Sequence, residues 1–321
     1  MSNNFTIIRQ KNREEWLKDR QCGIGSSEVA TILGLNPWET PMQLWRRKKG
    51  IDPPKAENFA MKAGHYLEDA VSRFYADETG KEIIKASAGD WLIVNNEKDF
   101  LRVSPDRTFW IPGRPKSYSN KGILECKTTQ MEVDADNIPQ HWFCQLQYQL
   151  GVSELEQGAL AWLTMGRTFG YRDFTFDEDF YKWMVEEVEK FWKDNIIGGV
   201  EPDPVSVEDV LLRNPRHQPG KTVEADADII DACRLLKQIK EEVKDYNTQA
   251  KELEERIKMF FGDAEAITTF DQATAKTVTL ATWKAAKDST KFAEKEFAEK
   301  EPELYQDYMR TVPGTRRFIL K

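Results

Sequence analysis

The sequence predicts an α/β core followed by a smaller, α-rich second domain. Three observations carry this. Apolar residues recur at helical spacing over residues 10–50 and 57–79 and again over 139–152 and 178–197; between these stretches several short runs alternate as strands do; and beyond a breaker-rich segment a seven-residue repeat takes over. A chain of 321 residues has room for about two domains, and we place them at residues 1–200 and 201–321.

Residues 10–50 read as helical around the small-residue turn Gly23-Ile24-Gly25-Ser26-Ser27-Glu28, with Trp16 and Leu17 before it and Val29, Ile32 and Leu33 on one face after it. The glycines allow a tight turn and the serines can cap the helix that follows. Asn36-Pro37 ends that helix, and Pro41 opens another that carries Leu44 and Trp45. It closes in Arg46-Arg47-Lys48-Lys49, whose charges suit the negative end of a helix or a phosphate backbone. A longer helix runs from about Glu57 to Thr79, with Phe59, Ala63, Leu67, Ala70 and Phe74 on its apolar face and Gly80 as its stop.

Strands are expected over 91–94, 100–103, 122–127, 158–164 and 171–176. The helix over 139–152 carries Trp142, Gln145, Leu146 and Gln149, and that over 178–197 covers the sheet; Trp142 and Trp162 fit the apolar periodicity of the core. Residues 198–204 form a hinge rich in Gly and Pro. After it Ala232, Leu236, Ile239, Val243, Tyr246, Ala250, Leu253, Ile257 and Phe260 follow steps of four and three up to Gly262, the spacing of a coiled-coil seam. Such a seam packs against the tail helix of its own chain, the simpler reading, or against another molecule. The tail supplies a hairpin (266–270 and 276–283), a helix over 294–309 and a short basic strand over 316–321.

Composition limits the function. Lys and Arg number 46 against 54 Asp and Glu, a net charge of −8, which argues against broad coating of nucleic acid and confines any DNA contact to a local basic lining. Cys22, Cys126, Cys144 and Cys233 contain no CxxC pair, so zinc knuckles, iron–sulfur clusters and a disulfide framework are unsupported. Neither a signal segment nor a run of 18 apolar residues is present, and we expect a cytoplasmic protein without a membrane partner.

One cluster carries chemistry: Asp106 in Ser104-Pro105-Asp106-Arg107, with Glu125 and Lys127 in Leu124-Glu125-Cys126-Lys127. Residues two apart on a strand share a face, so Glu125 and Lys127 point together. Asp106, closing the strand at 100–103, would reach Glu125 by antiparallel pairing of the two strands. Two carboxylates and the Cys126 carbonyl form a hard oxygen site suited to Mg²⁺ or Mn²⁺. So short a pattern, alone, more often marks a surface ladder of ion pairs. Two additions shift the balance: Glu68, one turn after Gly64 on an otherwise apolar helix face, and Gln145 on the helix after the lysine strand. A second candidate is the N-terminal turn, where backbone N–H groups, Ser26 or Ser27 and Arg20 could hold an anion or merely cap a helix.

Over residues 13–195 these blocks, in the order Trp16…Arg20…Ser27-Glu28, Gly64…Tyr66-Leu67-Glu68, Ser104-Pro105-Asp106, Leu124-Glu125-Cys126-Lys127 and Gln145-Leu146-Gln147-Tyr148, resemble the PD-(D/E)XK nucleases, and within them the phage alkaline exonucleases of the YqaJ and lambda exonuclease group. The resemblance implies a central mixed sheet flanked by helices, with a C-terminal extension. It implies Asp106, Glu125 and the Cys126 carbonyl as ligands of catalytic Mg²⁺, Glu68 on a second ion, Lys127 activating the water, Gln145 orienting lysine or water, and Arg20 and Ser27 on a 5′-phosphate. The activity implied is 5′ to 3′ degradation of one strand of linear double-stranded DNA for phage recombination, in a bacterial host cytoplasm. A single-strand annealing protein is the implied partner and a ring-shaped trimer or tetramer the implied assembly. The alternatives are an endonuclease of the same fold and a DNA-end-binding adaptor with an inactive site.

Overall fold

The computed structural model describes residues 4–9, 13–54, 56, 58–84, 91–312 and 314–321. Residues 1–3, 10–12 and Glu57, and the side chains of Trp16 and Leu17, to which the expectations above extend, lie outside the described residues. The chain forms two compact units, Met1–Arg213 and Asn214–Lys321.

The first unit opens with β1 (Phe5–Arg9) and α1 (Arg13–Gln21). The glycine turn then passes so close to a neighbouring strand that a Cβ on Gly23 would stand 2.4 Å from the Phe100 carbonyl oxygen. Its next residues form a two-residue strand, β2 (Ile24–Gly25), followed by α2 (Ser26–Ile32) and by α3 (Pro41–Lys48), which Thr40 caps by accepting from the Gln43 N–H. Next comes α4 (Phe59–Thr79), capped by Asn58 and ended by Gly80 at φ 68°. Its buried stripe runs through Leu67, Val71 and Tyr75 onto Phe109, Leu124 and Ala161. Phe59 and Phe74, expected on that stripe, are exposed; Phe74 instead leans on Phe169, ring centroids 5.6 Å apart. The inward face is thus turned toward Glu68.

The remaining elements are β3 (Ile83–Ile84), β4 (Trp91–Asn95), β5 (Leu101–Val103), β6 (Arg107–Trp110), β7 (Lys121–Thr129), α5 (Gln140–Ser153), β8 (Gln157–Thr164), β9 (Thr168–Thr175), α6 (Glu178–Lys190), extended to Ile197 by wider turns, and α7 (Val207–Arg213). The strands make two sheets, ordered β1-β4-β5-β2 and β3-β6-β7-β8-β9. In the second, β7 and β8 are parallel and joined through α5, while the other neighbours are antiparallel. This is the mixed, helix-flanked α/β architecture expected for a PD-(D/E)XK core. Leu124 and Cys126 pack toward α4. On the opposite face Ile123 meets α5 through Trp142, Leu146 and Leu150, and Trp162 joins that cluster, so both tryptophans are core as expected.

One expectation about the site is corrected. Asp106 does not reach Glu125 by pairing of the strand at 100–103, because β5 belongs to the first sheet. The antiparallel partner of β7 is β6, which begins directly after Asp106 and sets Arg107 opposite Leu124. Pro105, with no N–H to donate, cannot continue a ladder, and Ser104-Pro105-Asp106 carries the chain from one sheet to the other.

The unit boundary falls after α7, later than the expected 200/201. Asp209 explains why: it is buried, accepts from the Thr40 hydroxyl at 2.7 Å and from the Val205 N–H at 3.1 Å, and so fastens α7 to the helical layer.

The second unit holds α8 (Ala227–Phe261), a hairpin of β10 (Ala266–Asp271) and β11 (Lys276–Thr282), α9 (Glu294–Lys300) and α10 (Pro302–Tyr308). The single helix expected over 294–309 is broken where Pro302 starts a new one, and residues 316–321 form no strand. The tail leaves most of the α8 seam open: Ile239, Val243, Tyr246, Leu253, Ile257 and Phe260 are exposed, while Leu236 is half-buried and the Phe318 ring of the tail lies 5.8 Å from Lys240 Nζ.

Candidate active site

The site is built on the end of β7. Glu125 is 2% exposed, and its carboxylate is held by three side-chain donors. Lys127 Nζ donates to Oε1 at 2.7 Å, Gln145 Nε2 donates to the same oxygen, and Gln149 Nε2 donates to Oε2 at 2.8 Å. Lys127 also donates to Gln145 Oε1 at 2.8 Å, closing a triangle of lysine, amide and carboxylate. Gln145 and Gln149 stand one turn apart on α5, which places both over the β7 face.

Gln149 is the residue that the sequence reading left without a role. It is fully buried, donates to Ser26 Oγ at 3.2 Å as well as to Glu125, and its Oε1 has no hydrogen-bond partner. Its spacing of four from Gln145 was the available signal.

Asp106 Oδ2 accepts from the Cys126 N–H at 2.8 Å, which fixes the crossing segment against β7 between its two functional side chains. Across the cleft, Glu68 Oε1 lies 3.0 Å from His65 Nδ1 and Oε2 lies 3.8 Å from Arg107 Nη1. Arg107, adjacent to Asp106, also approaches Asp69 Oδ1 at 3.9 Å. The cleft, about 240 Å³, runs between α4 (Met61, Gly64, His65, Glu68) and the end of β7 (Cys126, Lys127, Thr128). Gly64 lines it, yet close approach does not demand glycine there: a Cβ would sit 3.8 Å from Thr128 Oγ1, ordinary contact.

The charges in this cleft are unevenly balanced. Burial, and after it the charges of Glu125 and Glu68, push the Asp106 carboxyl well above its usual range. Burial works to deprotonate Lys127, but Glu125 and Asp106 outweigh it and hold the ammonium above its ordinary value. A single lysine thus serves several carboxylates. Among the described residues no three His, Cys, Asp or Glu side chains stand grouped as a ready ligand set; what fits a divalent cation is the donor chemistry of Asp106, Glu125, Glu68 and the Cys126 carbonyl, all oxygen, with burial and neighbouring carboxylates at Asp106 that Lys127 and the Cys126 N–H only partly offset.

The N-terminal turn divides its two serines. Ser27 is exposed and accepts from Arg20 Nη2, whereas Ser26 is buried and turns inward to Gln149. Beneath them Glu28 accepts from the Gly25 N–H at 2.8 Å and pairs with Lys48 at 2.8 Å and Arg47 at 3.2 Å. The basic run at 46–48 is therefore neither a solvated helix end nor a free phosphate contact, while Lys49 is exposed and donates to the Ile196 carbonyl at 3.2 Å. Lys48 is buried and also donates to the carbonyls of Arg20 and Gly23, Arg47 also pairs with Glu39, and Arg46 pairs with Asp52. Its partners are dispersed in sequence, which hid this role.

Among the described residues, no helix is long and apolar enough to cross a membrane. Comparison with known proteins places this geometry in a family. A model of the YqaJ-like viral recombinase domain matches residues 15–156, from α1 to just beyond α5. The YqaJ protein of Bacillus subtilis (strain 168) is 31% identical over 267 residues, 80% of either chain. A protein of Acanthamoeba polyphaga mimivirus is 23% identical over 186 residues, 53% of this chain and 32% of that one. Among solved structures, the alkaline exonuclease of Laribacter hongkongensis overlaps 56% of this chain and 91% of its own with a TM-score of 0.43 and 16% identity. By its extended similarity to YqaJ and the match across the site-bearing elements, the chain belongs to the YqaJ-like viral recombinase family.

Proposed function

We propose that this protein is a metal-dependent deoxyribonuclease, an exonuclease that degrades one strand of linear double-stranded DNA from its 5′ end and leaves a 3′ overhang for recombination by strand annealing. The observation that carries this reading is the joint hold of Lys127 and Gln145 on Glu125, at a cleft whose other wall supplies Glu68.

Asp106, Glu125, Glu68 and the Cys126 carbonyl would hold Mg²⁺, or Mn²⁺ in its place, with donors enough for two ions. When bound, the metal supplies Lewis acidity to the scissile phosphate and a water that ionises near neutral pH. The chain's own groups supply the rest. Gln145 keeps the Lys127 amine and the Glu125 carboxylate in one fixed relation. Lys127, which lines the cleft, holds the attacking water and offsets charge that develops on the phosphate. Cys126 N–H holds Asp106 in place against the repulsion of its neighbours. Arg20 and Ser27, already paired on the surface, would grip the terminal 5′-phosphate, so that cutting starts at an end. A protein that anneals the exposed 3′ strand is the proposed partner, the host cytoplasm the proposed location, and a ring of three or four chains the proposed assembly.

Purified protein given linear, nicked and covalently closed plasmid with Mg²⁺ tests the reading. Steady loss of linear DNA alone is expected. Cutting of the closed circle would make the protein an endonuclease, and survival of all three forms with Mg²⁺ and with Mn²⁺ would make it an end-binding adaptor.

A further inference from the structure

Helix α8, 35 residues long, presents an apolar seam that is exposed at Ile239, Val243, Tyr246, Leu253, Ile257 and Phe260, with Leu236 half-buried and the Phe318 ring resting 5.8 Å from the neighbouring Lys240 Nζ. We propose that a second copy of this chain covers it, as an antiparallel two-stranded coiled coil whose two-fold axis passes between residues 244 and 245.

The first argument is size. A parallel pair sets each seam residue against itself, so Ala232 would face Ala232, Ala250 would face Ala250, and both layers would be left as voids. In the antiparallel register centred at 244/245 each small residue meets a large one: Ala232 of one copy against Ile257 of the other, and Ile239 against Ala250. Leu236 then meets Leu253, and Val243 meets Tyr246, so the core is filled without a polar layer.

The second argument is charge. Residues that flank such a seam decide partner and orientation. In the antiparallel register Lys240 of one copy lies five residues along the axis from Glu254 of the other. Side chains on a helix lean toward its own N-terminus, and because the two chains run in opposite directions these two lean toward each other. The axis generates the pair twice. Asn247 meets its own copy near the centre, Glu242 lies beside Gln249, and no like charges are brought together. The parallel arrangement aligns Glu242 with Asn247 and Gln249 with Glu254, and makes no opposite-charge pair. Packing and electrostatics therefore select the same orientation. Leu253, 57% exposed in the single chain, would lie at the buried centre of a layer.

Sedimentation of the full chain across a range of concentrations tests this, with Leu253→Lys, Lys240→Glu, Glu254→Lys and the double charge reversal. The wild type is expected to associate through this helix, and Leu253→Lys to lose that association with an unchanged circular-dichroism spectrum, since the residue is 57% exposed in the single chain. Each single reversal is expected to weaken association roughly tenfold, and the double reversal to restore it. A wild-type mass of one chain at every concentration would overturn the proposal, as would an assembly indifferent to Leu253→Lys. A double reversal no better than the single ones would overturn the antiparallel register.

Discussion

Gln149 donates its side-chain amide to Glu125 Oε2 at 2.8 Å, and the same amide reaches Ser26 Oγ at 3.2 Å. One buried amide thereby ties the carboxylate of the site to the turn that carries Ser27. Gln149→Leu keeps the shape and removes Nε2 together with the unpartnered Oε1. We expect it to fold, at a cost of about 1–3 kcal/mol for the Glu125 Oε2 left without its donor, and to cleave linear DNA about 10–100-fold more slowly, the usual cost of removing a group that orients a ligand. Single-turnover cleavage beside thermal unfolding checks this; a wild-type rate would remove Gln149 from the machinery.

Lys127 is bonded to both Glu125 and Gln145. Lys127→Ala should slow cleavage by roughly 10²–10⁴-fold, the range of a positioned proton-transfer group, while DNA-end binding persists. Parallel cleavage and gel-shift titrations with linear duplex measure the two effects, and undiminished turnover would refute the role given to the amine.

Arg20 and Ser27 meet at the surface. Linear duplex with a 5′-phosphate should be degraded faster than the same duplex with a 5′-hydroxyl, and Arg20→Ala should erase that preference more than it lowers the rate on hydroxyl ends. Equal rates on both ends in the wild type would reject the phosphate grip.

Glu28 predicts a pH dependence. Burial alone would raise its carboxyl, but Lys48, Arg20 and Arg47 outweigh burial and hold it below its ordinary 4.5. A carboxyl depressed by folding contributes its stability in full above the unfolded value and loses it as pH falls through the folded one. Glu28→Gln leaves Lys48, whose side chain is 2% exposed, with its two carbonyl acceptors but no counter-charge, and should destabilise the protein at neutral pH by about 3 kcal/mol. The difference from wild type should shrink below about pH 4.5. Urea unfolding at neutral and acid pH reads both effects.

The site was legible where chemistry is local. Glu125 and Lys127 lie two apart on one strand, and Gln145 sits on the next helix, so period and order sufficed to group them. Asp106 does lie against β7, through the Cys126 N–H, but not by the expected strand, because the four residues of β6 follow the proline turn at once and are not set apart from β5 by any pattern. The basic run at Arg46–Lys48 was misread for the opposite reason: Glu28, Glu39 and Asp52 neutralise it from separate turns, and no spacing rule links them. Periodicity found α4 but misjudged its rotation, since Phe59 and Phe74 outweigh Val71 and Tyr75 in hydrophobicity while the sheet accepts the latter pair. The exposed seam of α8 could not be foreseen either, as a heptad pattern states that a helix needs a partner and is silent on which chain provides it.

The passage of Ser104-Pro105-Asp106 from one sheet to the other has a consequence for timing. Glu68, Asp106 and Glu125 come from α4, the crossing and β7, and Gln145 and Gln149 from α5; their meeting point exists only once these four pieces are in place and α5 has closed over β7. A ribosome-bound chain that stops short of α5 holds scattered acids and no cutting centre. Under the activity proposed here, synthesis itself would act as the safety catch, sparing the host chromosome until the last of these pieces has docked.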